Sequence, residues 1–287
     1  MPHRLFPLLC LITLLAVIPA RAQALTTDWE QHPEVGTRLL VAQSADGEVN
    51  AGIEFRLAEG WKTYWRTPGD AGLPLTLDFS ASENLKQANL LWPVPTRLVE
   101  YKIIQSFIYK HHIILPLRLQ AEDPAKPILL KASGNYGVCS EICVFYNITL
   151  DTSIPASHSD AEAQAALDPF MAKVPAPNGA GGLEILSAQA GENNTLNVKA
   201  RAEDGFSRPE LLVEISEDFR FTAPEATFSA DWKEATFSVP YELKLKDASL
   251  KGKTITLTLI NGDKVVEAQV TEGQDTPSPA ADDVKKK

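Results

Sequence analysis

Short runs of apolar and β-branched residues, separated by Gly, Pro, Asp and Asn, fill the chain from Thr37 to Leu150. Runs of about four to eight residues that alternate between apolar and polar positions are typical of strands, and no segment among them keeps the longer period of a helix. The predicted strands include residues 49–57, 75–80, 113–119, 128–132 and 144–150. Strands of this length at short intervals predict an immunoglobulin-like β-sandwich over residues 26–155.

A second series of strand-like runs covers residues 183–188, 195–202, 211–216, 235–239 and 254–260. Asn261 and Gly262 then precede another alternating run at residues 264–270, and this pair predicts a type I′ hairpin because both residues tolerate positive φ. We therefore expect a second β-sandwich over residues 183–271, which contains no cysteine. The predicted fold class is all-β, with two immunoglobulin-like domains.

The segment between the two series, residues 156–182, is rich in Ala, Ser, Pro and Gly. Ser159 and Glu162 have the spacing of a capping box, which predicts a short helix that Pro169 limits. Residues 175–182 have the composition of a flexible linker. The polar, proline-containing residues 272–287 are expected to form a disordered tail.

The N-terminus predicts an export signal. A basic start with Arg4 is followed by an apolar run over residues 5–18, shorter than the ~20 residues of a membrane-spanning helix, and then by small residues. We expect residues 1–22 to be a signal peptide whose removal takes Cys10 with it. No later segment is apolar enough to cross a membrane. The predicted location of the soluble mature protein is the periplasm.

The charge balance argues against nucleic acid as a partner. The chain carries a formal net charge of −10, and loss of Arg4 and Arg21 with the signal peptide would make it −12. Binding to nucleic acids or to anionic membrane surfaces rests on Lys and Arg that neutralise phosphate. The mature length of ~265 residues favours two domains.

Candidate chemistry is concentrated in Cys139 and Cys143, the two cysteines that remain after the signal peptide. Residues 140–142 between them have the length of a tight turn. A thiolate that attacks a disulfide, with a second thiol nearby to resolve the intermediate, is sufficient for thiol–disulfide exchange. The first hypothesis is therefore a redox-active dithiol that needs no metal or organic cofactor.

Two other hypotheses remain open for this pair. A structural disulfide would close a loop of about five residues and restrict the unfolded chain by only ~2 kcal/mol. Two thiolates could also bind Cu(I), which prefers soft ligands. His111 and His112 are adjacent on a predicted strand and point to opposite faces, so they cannot both join one copper ion; His158 lies in the linker. A non-catalytic immunoglobulin-like binding module is the alternative from another functional class.

Other conspicuous side chains have structural interpretations. Trp61, Trp65 and Trp92 are expected in the core or on a sheet face. Residues 68–70, Pro-Gly-Asp, predict a turn. Arg66 and Glu141 are expected to be solvated charges, and a negative Glu141 would raise the pKa of a neighbouring thiol.

Several motifs in a fixed order resemble a known family. Residues 60–74, Gly-Trp-Lys-Thr-Tyr-Trp-Arg-Thr-Pro-Gly-Asp-Ala-Gly-Leu-Pro, precede Leu-Trp-Pro-Val-Pro at 91–95 and Tyr-Gly-Val-Cys-Ser-Glu-Ile-Cys at 136–143. This order resembles the periplasmic N-terminal domain of the DsbD and ScsB thiol:disulfide interchange proteins. The resemblance covers about residues 28–155, and the second β domain is similar to the additional immunoglobulin-like region of ScsB-type chains.

The resemblance implies a relay of electrons by successive disulfide exchanges. Cys139 and Cys143 match the active pair of the family, and Cys143 is implied as the site of the mixed disulfide with the downstream partner. The implied donor is a membrane-embedded thiol protein on a separate chain, and the implied acceptor is a periplasmic thioredoxin-like protein. Tyr64 matches a tyrosine beneath the disulfide, and Glu100 and Tyr101 match the position of a shielding cap loop. The implied activity is that of a thiol–disulfide oxidoreductase of the protein-disulfide reductase type.

Overall fold

The structure is a computed structural model that describes residues 25–216, 218–245 and 248–276. It consists mainly of strands, as the alternating patterns predict, and the all-β fold class is confirmed. The predicted signal peptide and residues 277–287 of the predicted tail lie outside the described residues. No helix of the described residues is long and apolar enough to span a membrane.

The first half of the chain folds into two facing antiparallel sheets. One has the strand order β1-β2-β3-β9-β6, with β12 beside β2, and the other has the order β11-β10-β4-β8-β7, with β5 beside β10. The strands are β1 (Glu30–Gln31), β2 (Val35–Ala45), β3 (Glu48–Leu57), β4 (Lys62–Gly69), β5 (Thr76–Asp78), β6 (Leu85–Leu90), β7 (Thr96–Glu100), β8 (Ile104–Lys110), β9 (His112–Ala121), β10 (Ile128–Cys139), β11 (Cys143–Ile154) and β12 (His158–Ser159).

The inward side chains of these two sheets form one core. Trp65 and Phe107 meet edge to face within it, and Phe55 meets Tyr136 in the same way. The buried Trp65 is thus a core residue, as predicted, while Trp61 and Trp92 are half-buried at its margin. Apolar burial on this scale is the dominant stabilising term, and it fixes β4 and β10, the two strands that carry Tyr64 and Cys139.

The second half of the chain forms another pair of sheets with its own core. The strand orders are β13-β21-β20-β16 and β14-β15-β19-β17, with β18 beside β19. The strands are β13 (Ala176–Pro177), β14 (Leu183–Ala190), β15 (Thr195–Ala202), β16 (Pro209–Glu214), β17 (Phe219–Phe221), β18 (Glu225–Phe228), β19 (Glu234–Leu243), β20 (Thr254–Asn261) and β21 (Lys264–Thr271).

The segment between the halves is folded, so the expectation of a flexible linker is wrong. Helix α1 (Ala161–Met171) packs Ala163 and Leu167 on the first half. Its N-cap is Asp160, which accepts hydrogen bonds from the N–H groups of Glu162 and Ala163, and the predicted cap Ser159 belongs to β12 instead. Pro169 lies inside the last turn rather than at the boundary. After the helix, β13 pairs in parallel with β21.

The turn after β20 differs from the predicted type I′ hairpin. Asn261 pairs with Lys264, so the two turn residues are Gly262 and Asp263, and of these only Gly262 has a positive φ. Asn261 stays in the strand because its side chain accepts a hydrogen bond from Ser207 N and donates one to Gly205 O. These bonds satisfy a buried amide and shift the turn by one residue.

Residues 272–276, expected to begin a disordered tail, run beside β14. Gly273 N donates to Ala188 O, and Thr276 N donates to Leu186 O. Backbone hydrogen bonds to an edge strand hold this segment although its composition is polar.

Charged side chains join the two halves. Arg66 of β4 donates from Nε to Glu214 Oε1 at 2.9 Å and also binds Glu267 through Nη2. The prediction that Arg66 is a solvated charge is wrong, because its partners lie more than a hundred residues away and no local pattern announces them. Arg97 of β7 donates to Glu210 Oε1 and to Leu211 O, both at 2.9 Å.

Candidate functional site

The two cysteines form a disulfide at the end of the hairpin of β10 and β11. These strands pair in continuous register from Ile128 opposite Ile154 to Cys139 opposite Cys143. The turn of residues 140–142 closes with a hydrogen bond from Ser140 N to Ile142 O at 2.9 Å. The cross-strand register places the two Cα atoms 4.1 Å apart, which brings the sulfur atoms into bonding range.

The two cysteines of the disulfide have different surroundings. Cys139 is 2% exposed and packs against Tyr64, Ile108 and Leu98. Cys143, at the start of β11, is exposed. A thiolate arriving from solvent would therefore meet Cys143, while Cys139 stays beneath the surface. The residues next to each cysteine do not reveal this asymmetry; only the family resemblance distinguishes the two, by implying a mixed disulfide at Cys143.

A cleft of about 710 Å³ opens beside the disulfide. The cysteine turn lines it with Glu141 and Ile142, and β7, at the other edge of the sheet from β11, lines it with Glu100. Trp61 and Lys62, at the start of β4, also line the cleft. The structure thus brings Glu100, a predicted supporting residue, to the same cleft as the cysteine turn.

The floor of the cleft contains one ion pair. Lys62 is buried opposite Cys139 in the β4–β10 register, and its Nζ lies 3.3 Å from Glu100 Oε1. Tyr64 lies two residues further along β4, on the same face as Lys62, and is buried against Cys139. Burial, with a smaller contribution from the charge of Glu100, raises the pKa of Tyr64 to about 12. Tyr64 therefore remains a neutral phenol over the pH range in which thiols exchange.

The turn between β7 and β8 does not cover the disulfide. Tyr101 and Lys102 both adopt positive φ, 52° and 65°, which folds the chain back tightly between Glu100 and Ile104. The Tyr101 side chain is 85% exposed, whereas a ring packed over a disulfide would lose most of its exposed surface. The shield that the resemblance implies for Tyr101 is not formed in this structure, and its role stays a prediction.

The exposed apolar side chains gather at this site, a feature that the sequence analysis missed. Among the described residues, most of the large exposed apolar side chains lie on the two hairpin ends beside the cleft: Val99, Tyr101, Ile103, Ile142 and Phe145. Alternation along β11 carried the signal, because the buried Ile148 and Leu150 place Phe145 on the opposite, outer face. Exposed apolar groups clustered around a cleft are typical of a docking surface.

His112 and His158 are held by contacts within the first half of the chain. His112 Nε2 lies 2.9 Å from Glu54 Oε1, and His158 Nε2 lies 3.2 Å from Val41 O. Within the described part of the chain, no group of three or more His, Cys, Asp and Glu side chains is placed to hold a metal ion. Glu141 is exposed on the cysteine turn, as expected of a solvated charge.

Comparisons with known proteins identify a family and a similar fold. Residues 33–152 match the family described as thiol:disulfide interchange protein DsbD, N-terminal, and residues 173–275 match a domain of unknown function, DUF8393. The crystal structure of the N-terminal periplasmic domain of ScsB from Proteus mirabilis has a similar fold, with a TM-score of 0.72 and 21% sequence identity. That alignment covers 88% of this chain and 100% of the ScsB chain. The chain matches no curated protein sequence.

Proposed function

We propose that this chain, whose residues 33–152 belong to the DsbD N-terminal family, carries electrons in the periplasm through Cys139 and Cys143. Its first domain is a thiol:disulfide interchange domain. The donor in this proposal is a membrane-embedded thiol protein on another chain, and the acceptor is a thioredoxin-like protein. No metal or organic cofactor takes part.

The observation that carries the proposal is the one-sided exposure of the disulfide. Because Cys143 is exposed and Cys139 is buried, an incoming donor thiolate would attack the sulfur of Cys143 and displace Cys139 as the leaving thiolate. The second donor thiolate then attacks the mixed disulfide. The donor leaves with a new disulfide, and Cys139 and Cys143 keep two electrons and take up protons.

Transfer of the two electrons from the reduced pair to the acceptor follows the same steps in reverse. The Cys143 thiolate attacks the acceptor disulfide and forms a mixed disulfide, and the acceptor's displaced sulfur takes up a proton. Cys139 then attacks Cys143 from below, releases the reduced acceptor and restores the intramolecular bond. The short turn of residues 140–142 keeps Cys139 next to the mixed disulfide, so that resolution does not depend on a large movement of the chain.

A purely structural role for the disulfide fits the hairpin less well. β10 and β11 are already paired along their whole length, from Ile128 to Cys139. The bond closes a loop of about five residues, for which chain entropy gives only ~2 kcal/mol. Thiol–disulfide exchange needs an exposed sulfur and a surface on which a partner can dock, so it accounts for the open cleft and for the exposed apolar side chains beside it.

Single cysteine variants test the proposal. Cys139→Ser leaves Cys143 free and removes the resolving thiol, so it should accumulate mixed disulfides with thioredoxin-like proteins that dithiothreitol releases. Cys143→Ser is the matched control and should accumulate far fewer, because its remaining thiol is buried. Equal trapping by both variants, or trapping by neither, would contradict the assigned roles.

The redox potential separates the remaining alternatives. Equilibration of the pair with glutathione should give a potential above about −300 mV, the upper bound for inert structural disulfides. A much lower potential would support the structural alternative. A tight one-to-one Cu(I) complex of the reduced protein, together with no trapped mixed disulfide, would support copper binding instead.

A further inference from the structure

Among the described residues, Arg220 of the second domain binds the turn of residues 100–104 beside the cleft. Arg220, on β17, donates from Nη2 to the carbonyl oxygen of Ile103. The same guanidinium binds Asp70 in a bidentate manner, with Nε to Oδ1 at 2.7 Å and Nη2 to Oδ2 at 2.8 Å. It also reaches Glu242 of its own domain, from Nη1 to Oε2 at 3.2 Å. A planar fork that engages several acceptors fixes geometry better than one contact does.

Asp70 connects this arginine to the base of the turn. Its Oδ2 accepts from Gln105 N at 2.8 Å, and its own N–H donates to Gln105 O at 2.8 Å. The hydrogen bond from Arg220 is the largest cause that lowers the pKa of Asp70. The carboxylate therefore stays charged at neutral pH and keeps its hydrogen bonds with Arg220 and with Gln105 N.

The two strands that lead into the turn are held from the same domain. Arg97 of β7 donates to Leu211 O at 2.9 Å, and the Gln105 side chain of β8 donates to Phe221 O at 3.1 Å. Within the turn itself, the bond from Ile103 N to Glu100 O is local. Arg220 is thus the side chain through which the second domain holds the tip of the hairpin.

The end of this hairpin is part of the cleft. Glu100 lines it from the end of β7, at the other edge of the sheet from β11, and pairs with Lys62, which lies opposite Cys139 in the β4–β10 register. Tyr101 and Ile103 are exposed on one side, and Ile142 and Phe145 are exposed on the other. Contact between these two sets of apolar side chains would bury their surface and close the cleft beside the cysteine turn, so an open cleft needs a restraint on the hairpin.

We propose that Arg220 is a positioning residue of the second domain that holds the turn of residues 100–104 away from the cysteine turn and thereby keeps Cys143 open to a visiting thiol. The inference rests on the proposed interchange function and gives the DUF8393 region a part in it: it controls access to a disulfide that lies wholly in the first domain.

The test compares Arg220→Gln with Arg201→Gln in the full chain. Arg201 is in the same domain, and its exposed side chain forms only a long pair with the half-buried Glu184 at 3.8 Å, so it controls for the loss of one arginine. In Arg220→Gln, the amides of residues 101–105 should exchange hydrogen faster, and dithiothreitol should reduce the disulfide more slowly. We expect a change of about threefold or more, since a hydrogen bond to a charged group shifts an equilibrium by at least that factor. The redox potential should stay unchanged, because Arg220 does not touch the cysteines.

Asp70→Asn removes the charge that orients Arg220. It should also speed amide exchange at residues 101–105 and slow the reduction of the disulfide, and it replaces Arg220→Gln in the test if that variant folds poorly. A reduction rate in both variants equal to that of Arg201→Gln, or a faster one, would overturn the proposal. Dithiothreitol reduces the disulfide whether or not the protein is a relay. Failure to trap a partner with Cys139→Ser would therefore contradict the proposed function without deciding the role of Arg220.

Discussion

Replacement of Arg66 by methionine tests whether the charges between the two domains stabilise the fold. Methionine keeps most of the length of the side chain and removes the cation. Glu214 would lose two hydrogen bonds from the guanidinium and keep one from Thr67 Oγ1 at 2.5 Å. Glu267 would keep only its bond from Thr258 Oγ1 at 3.2 Å. Two carboxylates would then face each other without their shared cation.

The magnitude follows from how much water reaches these groups. Breaking a fully buried ion pair from one side costs ~3–5 kcal/mol. Here the side chains of Arg66 and Glu214 are 27% and 11% exposed, so solvent screens part of that loss. We therefore expect Arg66→Met to lower the free energy of unfolding by about 2–3 kcal/mol.

Urea unfolding at neutral pH, followed by tryptophan fluorescence, measures this loss. Arg201→Met is the matched control, and a single long pair with one exposed partner should contribute no more than about 0.5 kcal/mol. A double-mutant cycle with Glu214→Gln isolates the pairwise energy, which should be about 1 kcal/mol or more for charges in contact. If Arg66→Met and Arg201→Met lose the same small amount, the network does not stabilise the interface and the reasoning fails.

Three further outcomes follow from the site. Gly72→Ala should lower the melting temperature and alter near-ultraviolet dichroism, because its Cβ would lie 2.2 Å from Tyr64 Cε1 at a φ of +111°, and an unchanged spectrum would contradict the packing. Tyr64→Phe should leave the pH profile of disulfide reduction between pH 6 and 9 unchanged, since the pKa of Tyr64 is about 12; a lost inflection would refute this. The lowered pKa of Asp70 means that its stabilising contribution is present above the ordinary aspartate pKa and is lost as pH falls through the lower folded value. Asp70→Asn should therefore melt below the parent protein at pH 6 and approach it toward pH 2, and a constant difference would argue against the ion pair with Arg220.

The sequence predicts the strands well where one face is apolar. The alternating pattern predicts a strand over residues 195–202, and these residues form β15, with Leu196, Val198 and Ala200 turned inward. Their period of two is a local property, because successive side chains of a strand point to opposite faces whatever the strand pairs with. The prediction of the turn after β20 is wrong for the opposite reason. Long-range hydrogen bonds of the Asn261 side chain, to Ser207 N and Gly205 O, outweigh the local preference of asparagine for a turn.

The chemistry of the site is also largely local. Two cysteines separated by three residues, followed by an alternating β run, predict a tight turn at residues 140–142 before a strand, and the structure forms that turn. The choice between a redox pair, a structural disulfide and a copper site stayed open from the residues alone. The order of motifs from residue 60 to residue 143 is sufficient to predict the family, which the match at residues 33–152 supports. These features depend on neighbours along the chain and survive without knowledge of the fold.

The exposure of each sulfur and the partners of each charge were decided only by the tertiary structure. Cys139 is buried because β4 pairs beside it in the same sheet and because Tyr64, Ile108 and Leu98 pack against it. Cys143 is exposed at the start of β11, an edge strand of that sheet. Arg66 and Arg220 find partners about 150 to 200 residues away, across an interface that forms only when two separate cores have packed. Hydrophobic alternation specifies which face of a strand is inside. It does not specify which strand lies next to it, and the pairing of distant charges depends on that arrangement.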